Sequence, residues 1–185
     1  MTHHGRVSGS VRSDPRRLRA ARRAAFPAVR MRQPVPGRHH PATVADVRAA
    51  LGAFGEVAYY GLDLVELVPA VPIHNGPLLG GLAGPGHVAL YDQPRPPWRL
   101  GAALSRADRA WLASAGADVS TPAVVTWPGD SLRRFMLGHV LAHEIGHHLL
   151  QHERRRRGER AARQRDHEAR AEVVAAALRE RLVWC

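Results

Sequence analysis

The sequence predicts one small α+β domain, and three observations carry that reading. Apolar residues at helical spacing mark four segments, and short alternating or β-branched runs mark three others. Clusters of Gly, Pro, Asn and Asp separate them. In chain order they run helix, two strands, helix, strand, then two helices, within 185 residues and without internal repeats. The boundaries fall at 1–40, expected to be a disordered Arg-rich tail, and 41–185, expected to be the folded domain.

The first helix begins after Pro41. Thr43 stands at the N-cap position, with Asp46 three residues on in a capping-box-like role. Val44, Val47, Leu51 and Phe54 then follow at helical spacing, and Gly55 is the stop. LDLVELVPAVPI, 62–73, alternates apolar and acidic positions as a half-buried strand does. NGPLLGGLAGPG, 75–86, reads as a glycine-rich turn or loop and lacks the GxxxxGK[ST] pattern of a phosphate loop. HVALY, 87–91, is the second strand, and QPRPPW, 93–98, an extended loop. Ser105 and Asp108 form a second N-terminal signal, for a helix over 107–115. AVVTW, 123–127, is the third strand. Asp130 or Ser131 caps a helix that runs to about Glu153, where RRRRG breaks the apolar pattern. A last helix spans roughly 159–182.

All 27 basic residues are arginine, and they are unevenly placed. Residues 1–40 hold ten arginines and one acid, 41–150 seven and nine, and 151–185 ten and six. The middle is therefore close to neutral, and the basic character belongs mainly to the first segment. That segment reads as a solvated tail whose like charges repel, or as a nucleic-acid arm held by phosphate contacts. No aromatic residues interleave its arginines, which weakens a single-strand-binding role. No run of apolar residues reaches transmembrane length, so no membrane partner is expected. The positively charged N-terminus has no apolar stretch after it and is not a secretory signal. The single cysteine, Cys185, excludes an internal disulfide, and a cytoplasmic location fits.

The chemistry is concentrated in HVLAHEIGHHLLQH, 139–152. An apolar helix needs neither five histidines nor a glutamate, and burying them without partners is costly. His143-Glu144-Ile145-Gly146-His147 is an HExxH motif. Positions i and i+4 share a helix face, so His143 and His147 can offer ring nitrogens to one metal ion. Glu144 falls beside that ion rather than on it, placed to act as the catalytic general base towards a bound water. Zinc suits imidazole and carboxylate ligands and does no redox chemistry. His139 reads as a hydrogen-bonded core histidine, and His148 as solvated or packed on a neighbour. His152 is a weak ligand candidate. It lies five residues after His147, whereas the HExxHxxGxxH pattern places a third histidine six after, where this chain has Glu153.

A catalytic zinc site usually has three protein ligands and one open position. The third must come from elsewhere, and Asp166-His167-Glu168-Ala169-Arg170-Ala171-Glu172 opens the last helix. Asp166, His167 and Glu168 all remain candidates on spacing alone. At this point the sequence resembles the gluzincins, zinc peptidases in which HExxH is followed about 20 residues later by a helix of the form ExxA[DN]xxA. Glu168 lies 21 positions after His147, with Ala171, Glu172 and Ala175 three, four and seven later. The resemblance implies that His143, His147 and Glu168 are the ligands of one Zn2+ ion. Glu172 stands where gluzincins carry an Asp that hydrogen-bonds the first ligand histidine; here the longer Glu replaces it. Small size and element order are similar to the minigluzincins and the ImmA/IrrE-type metallopeptidase domains. What they imply is a zincin-like domain, with about three strands packed on the active-site helix. An edge strand would bind the peptide or protein substrate by β-addition, and HVALY is the candidate.

The resemblance therefore implies a zinc-dependent peptidase with Glu144 as general base. An oxyanion stabiliser is not assigned; Tyr59, Tyr60, Tyr91 and His139 are the candidates. Two other readings stay open. One is a catalytically silent zinc-binding regulatory module. The other is a basic nucleic-acid-binding protein with an incidental HExxH.

Overall fold

A computed structural model describes residues 25–70, 79–157 and 164–184, without the side chains of 153–157 and 164–165. Eight strands are present among them: β1 (Ala28–Met31), β2 (Arg38–His39), β3 (Leu64–Val68), β4 (Gly80–Gly84), β5 (His87–Tyr91), β6 (Gln93–Pro94), β7 (Trp98–Arg99) and β8 (Val124–Val125). The helices are α1 (Val44–Phe54), α2 (Glu56–Tyr59), α3 (Arg106–Ser114), α4 (Ser131–Phe135), α5 (Ala142–Arg157) and α6 (Gln164–Arg179). A π-helical turn, Met136–Leu141, joins α4 to α5 without a break. The class is α+β, as expected, with one main sheet and helices packed on it.

The main sheet has four strands in the order β1-β3-β5-β4. β1, β3 and β5 are mutually parallel, and β4 is antiparallel to β5. Alternation along the strands sorts the two faces. Val65 and Leu67 of β3 lie beside Val88 and Leu90 of β5 in register, and all four are buried in the core. Leu51, Phe54, Phe135, Leu141 and Ile145, each fully buried, complete the core from the helical side. Every such side chain contributes about 1.5–3 kcal/mol through removal from water. On the opposite face Glu66 is buried between Arg32 (2.9 Å) and His87 (3.5 Å).

Local signals hold where they are chemical. Thr43 and Asp46 form the reciprocal capping box at α1, and Gly55 ends that helix at φ 84°. Ser105 accepts the Asp108 N–H at the start of α3. The main sheet, however, has four strands rather than about three. β1 lies inside the segment read as a disordered tail, so the folded part reaches back at least to Ala28; residues 1–24 lie outside the described residues. A four-residue strand on the sheet edge, three of its residues exposed, carries too little periodicity to stand out from Arg and Pro neighbours. AVVTW contributes only Val124 and Val125, paired with β7 outside the main sheet. Ala123 takes a positive φ of 57°, which breaks extended backbone at the start of that run.

HVALY is a strand over its whole predicted length but lies inside the sheet, between β3 and β4. The edge next to α5 is β4, from the stretch read as a glycine-rich loop. Glycine supplies no alternating pattern to read. Here its missing side chain is what lets the strand lie down. A Cβ on Gly80 would sit 2.7 Å from Val140 Cγ1 and 3.2 Å from Glu144 Cγ. α5 also passes the expected stop and continues through Arg157.

Asp92 ties three segments together at the end of β5. Its carboxylate is fully buried and accepts the backbone N–H groups of Val35 (2.7 Å) and Ala70 (2.9 Å) and Arg38 Nε (2.6 Å). Asp92→Ala should lower the unfolding free energy by about 3 kcal/mol, because two N–H groups and a guanidinium lose their acceptor. Urea unfolding measures it. Burial alone would raise the Asp92 pKa, but the bonds from Ala70, Val35 and Arg38 outweigh it and hold it below the ordinary value. Such a depressed group stabilises the fold above its unfolded pKa, roughly 4, and loses that contribution as pH falls through its folded value. The deficit of the Ala variant should therefore shrink under strong acid.

Candidate metal centre

Helical spacing brings His143 and His147 together on one face of α5. Their Nε2 atoms are 2.9 Å apart and the rings meet edge to face at 4.5 Å. Glu168 approaches from α6, with Oε2 at 3.4 Å from each of the two Nε2 atoms. Small residues make this approach possible. Ala171 and Ala175 of α6 are fully buried, and Ala171 backbone lies against Gly146, the glycine of the HExxH motif. Glu168, one turn before Ala171, is thereby delivered to the histidines. The cluster is half-open: His147 is 13% exposed and Glu168 54%.

Each histidine is also fastened on its far side. His143 Nδ1 lies 3.3 Å from Glu172 Oε2, and Glu172 Oε1 accepts from Arg179 Nη2 at 2.8 Å. Burial would raise the Glu172 pKa, but the Arg179 bond and charge, with a smaller part from His143, bring it below the ordinary value. An ionised carboxylate at Nδ1 holds the proton there and leaves Nε2 with a free lone pair towards the cluster. His147 Nδ1 lies 3.0 Å from His167 Nδ1, and the two rings stack at 4.9 Å with planes 13° apart. Burial, then the neighbouring His143, lowers the His147 pKa, so its neutral form prevails. That is the form in which imidazole ligates.

Glu144 is buried beside the cluster, beneath β4, where its Cγ lies close to Gly80. Burial pushes its pKa up to about 7; the Glu168 charge adds to this and His143 opposes it. His167, a candidate third ligand on spacing alone, stands behind His147 instead, a position that only the packing of α6 on α5 reveals. The one signal for it in the sequence is its place directly before Glu168. Asp166 is exposed and outside the cluster. His152 packs edge-on against Tyr60 at 5.3 Å. His148 is buried, with Nε2 at 3.1 Å from the Tyr60 carbonyl. His139 differs from expectation: it stacks on Phe135 at 5.7 Å, but its buried Nδ1 has no hydrogen-bond partner among the described residues. Tyr59 packs on Phe26.

Among the described residues, His143, His147 and Glu168 are the group of histidines and acids that could hold a metal ion, with ligand atoms all within 4.8 Å of one another. The spacing suits that use. Donors of a tetrahedral site with bonds of about 2.0–2.1 Å stand about 3.3–3.4 Å apart. Two of the three separations here are 3.4 Å. The third, 2.9 Å between the imidazoles, needs only a small opening. No helix among the described residues is long and apolar enough to cross a membrane. No protein-family model matches the chain, and no curated protein or solved structure is significantly similar to it.

Proposed function

We propose that the chain is a zinc-dependent peptidase of the gluzincin type, with His143, His147 and Glu168 as ligands of one zinc ion. The observation that carries the reading is the convergence of two Nε2 atoms and one Oε2, with the Glu144 carboxylate buried directly beside them. A zinc ion there supplies Lewis acidity, lowering the pKa of water towards neutrality and drawing charge from a carbonyl oxygen.

The chain's own residues do the rest. Glu144 takes a proton from the attacking water and passes it to the leaving amine nitrogen. Glu172 and His167 hold the two imidazoles with Nε2 turned inward. Among the described residues β4 is an edge strand, with Gly80 lying against Glu144, and an extended peptide adds there as a further strand. Because Gly80 carries no side chain over Glu144, the peptide backbone comes close to the base. Main-chain pairing of this kind is indifferent to the side chains of the peptide.

The first test is the zinc content of purified wild type and Glu168→Ala. About one zinc in the wild type and far less in the variant is the expected result. Equal zinc in both would remove Glu168 from the site and with it the gluzincin reading. His167→Phe keeps a ring stacked on His147 but removes the nitrogen behind it. It should weaken zinc binding roughly 10- to 100-fold, read by competition with a chromophoric chelator. An unchanged affinity would leave His167 as packing only.

A further inference from the structure

The π-helical turn also lines a cavity of about 400 Å³ with none of His143, His147 or Glu168 in its wall. Its walls include Ser131 and Arg134 from α4, His139 from the turn, Arg179 from the end of α6, and Trp184. The polar groups there are unbalanced. The Arg134 side chain makes no hydrogen bond or salt bridge among the described residues; its guanidinium lies 5.8 Å from the Trp184 ring centroid. Arg179 spends Nη2 on Glu172, while its Nη1 is shut off from solvent without a hydrogen-bond partner among the described residues. Ser131 Oγ and His139 Nδ1 are in the same condition. Asp130, the acid in the wall, is taken by Arg133.

We infer that this cavity binds a small oxyanion, a phosphate or carboxylate. A guanidinium can only donate, so what the buried Arg179 Nη1 lacks is an acceptor, and the exposed Arg134 adds a second positive charge to the same wall. An unpaired buried donor costs about 1–3 kcal/mol, and groups left unsatisfied in a native protein point to a bound water or ion. Three around one cavity call for a ligand that accepts several bonds at once. Negative charge is favoured by two guanidinium groups, and guanidinium matches the geometry of oxyanions. None of this depends on the metal centre being occupied.

The test is calorimetric titration of the full metal-free chain with inorganic phosphate and, separately, acetate, at constant ionic strength. Saturable binding of either at one site per chain is expected, weakened at least tenfold in Arg134→Gln and in Ser131→Ala. The tighter of the two identifies the headgroup. Arg134 is exposed, so its replacement leaves the core untouched. His143→Ala should bind the anion as the wild type does, which separates this site from the imidazole cluster. Binding that does not saturate, or that survives both Arg134→Gln and Ser131→Ala, would assign the anion to the other arginines of the chain and overturn the inference.

Discussion

Glu144→Gln is expected to abolish peptide hydrolysis while leaving about one zinc bound per chain. The amide has the shape of the carboxyl group and fills the same buried position under Gly80. What it cannot do is accept a proton from water and deliver it to the departing nitrogen. Removing a general base of this kind lowers the rate on the order of 10²- to 10⁴-fold. None of the three proposed metal ligands is altered, so metal content should not follow activity. The measurement is turnover of a peptide that the wild type cleaves, paired with zinc stoichiometry on the same sample. If wild type and Glu144→Gln both bind zinc and neither cleaves any peptide offered, the silent zinc-binding module becomes the better reading. If they cleave equally well, the activity belongs to a contaminant or to another base, and the role given to Glu144 fails.

Much of this centre was legible in the sequence because it rests on short-range geometry. HExxH places two imidazoles on one helix face whatever surrounds them, and the two capping signals at Thr43 and Ser105 act within three residues. Glu168 and Glu172 came from the resemblance to the gluzincin helix pattern, since spacing alone left Asp166 and His167 as rivals to Glu168. The longer Glu172 still reaches His143 Nδ1, because Arg179 holds its other oxygen. What escaped depends on contacts between distant segments. β4 is a strand because β5 pairs with it and because Gly80 lets it lie on Val140 and Glu144, and glycine leaves no periodic trace of either fact. β1 is held by parallel pairing to a strand more than 30 residues away. The π-helical turn has no residue signature, yet it sets the angle at which His139 leaves the helix relative to His143. His167 acquires a role only once α6 is docked on α5.

That docking is most exposed to change at Gly146. A Cβ added there would meet Ala171 O at 2.6 Å, Ala171 Cα at 3.1 Å and Ala171 C at 3.2 Å. These are backbone atoms, so no side-chain rotation relieves the clash; α6 itself must move out by about 0.8 Å to restore ordinary contact at 3.4 Å. Glu168 rides on that helix only three residues away, whereas metal–ligand distances tolerate about 0.2 Å. Gly146→Ala should therefore weaken zinc binding roughly a hundredfold or more. Its stability reflects two opposed effects. Alanine gains about 1 kcal/mol in helix propensity over glycine, and overpacking a close contact costs about 1–3 kcal/mol, so a net loss is expected. Gly52, in α1, separates the two. A Cβ there meets nothing within 4 Å, so Gly52→Ala should stabilise by up to about 1 kcal/mol with zinc affinity unchanged. Urea unfolding and chelator competition on both variants read the contrast. A Gly146→Ala protein that binds zinc as tightly as the wild type and unfolds at higher urea would mean that α5 and α6 do not meet at this glycine, and that Glu168 reaches the histidines by some other packing.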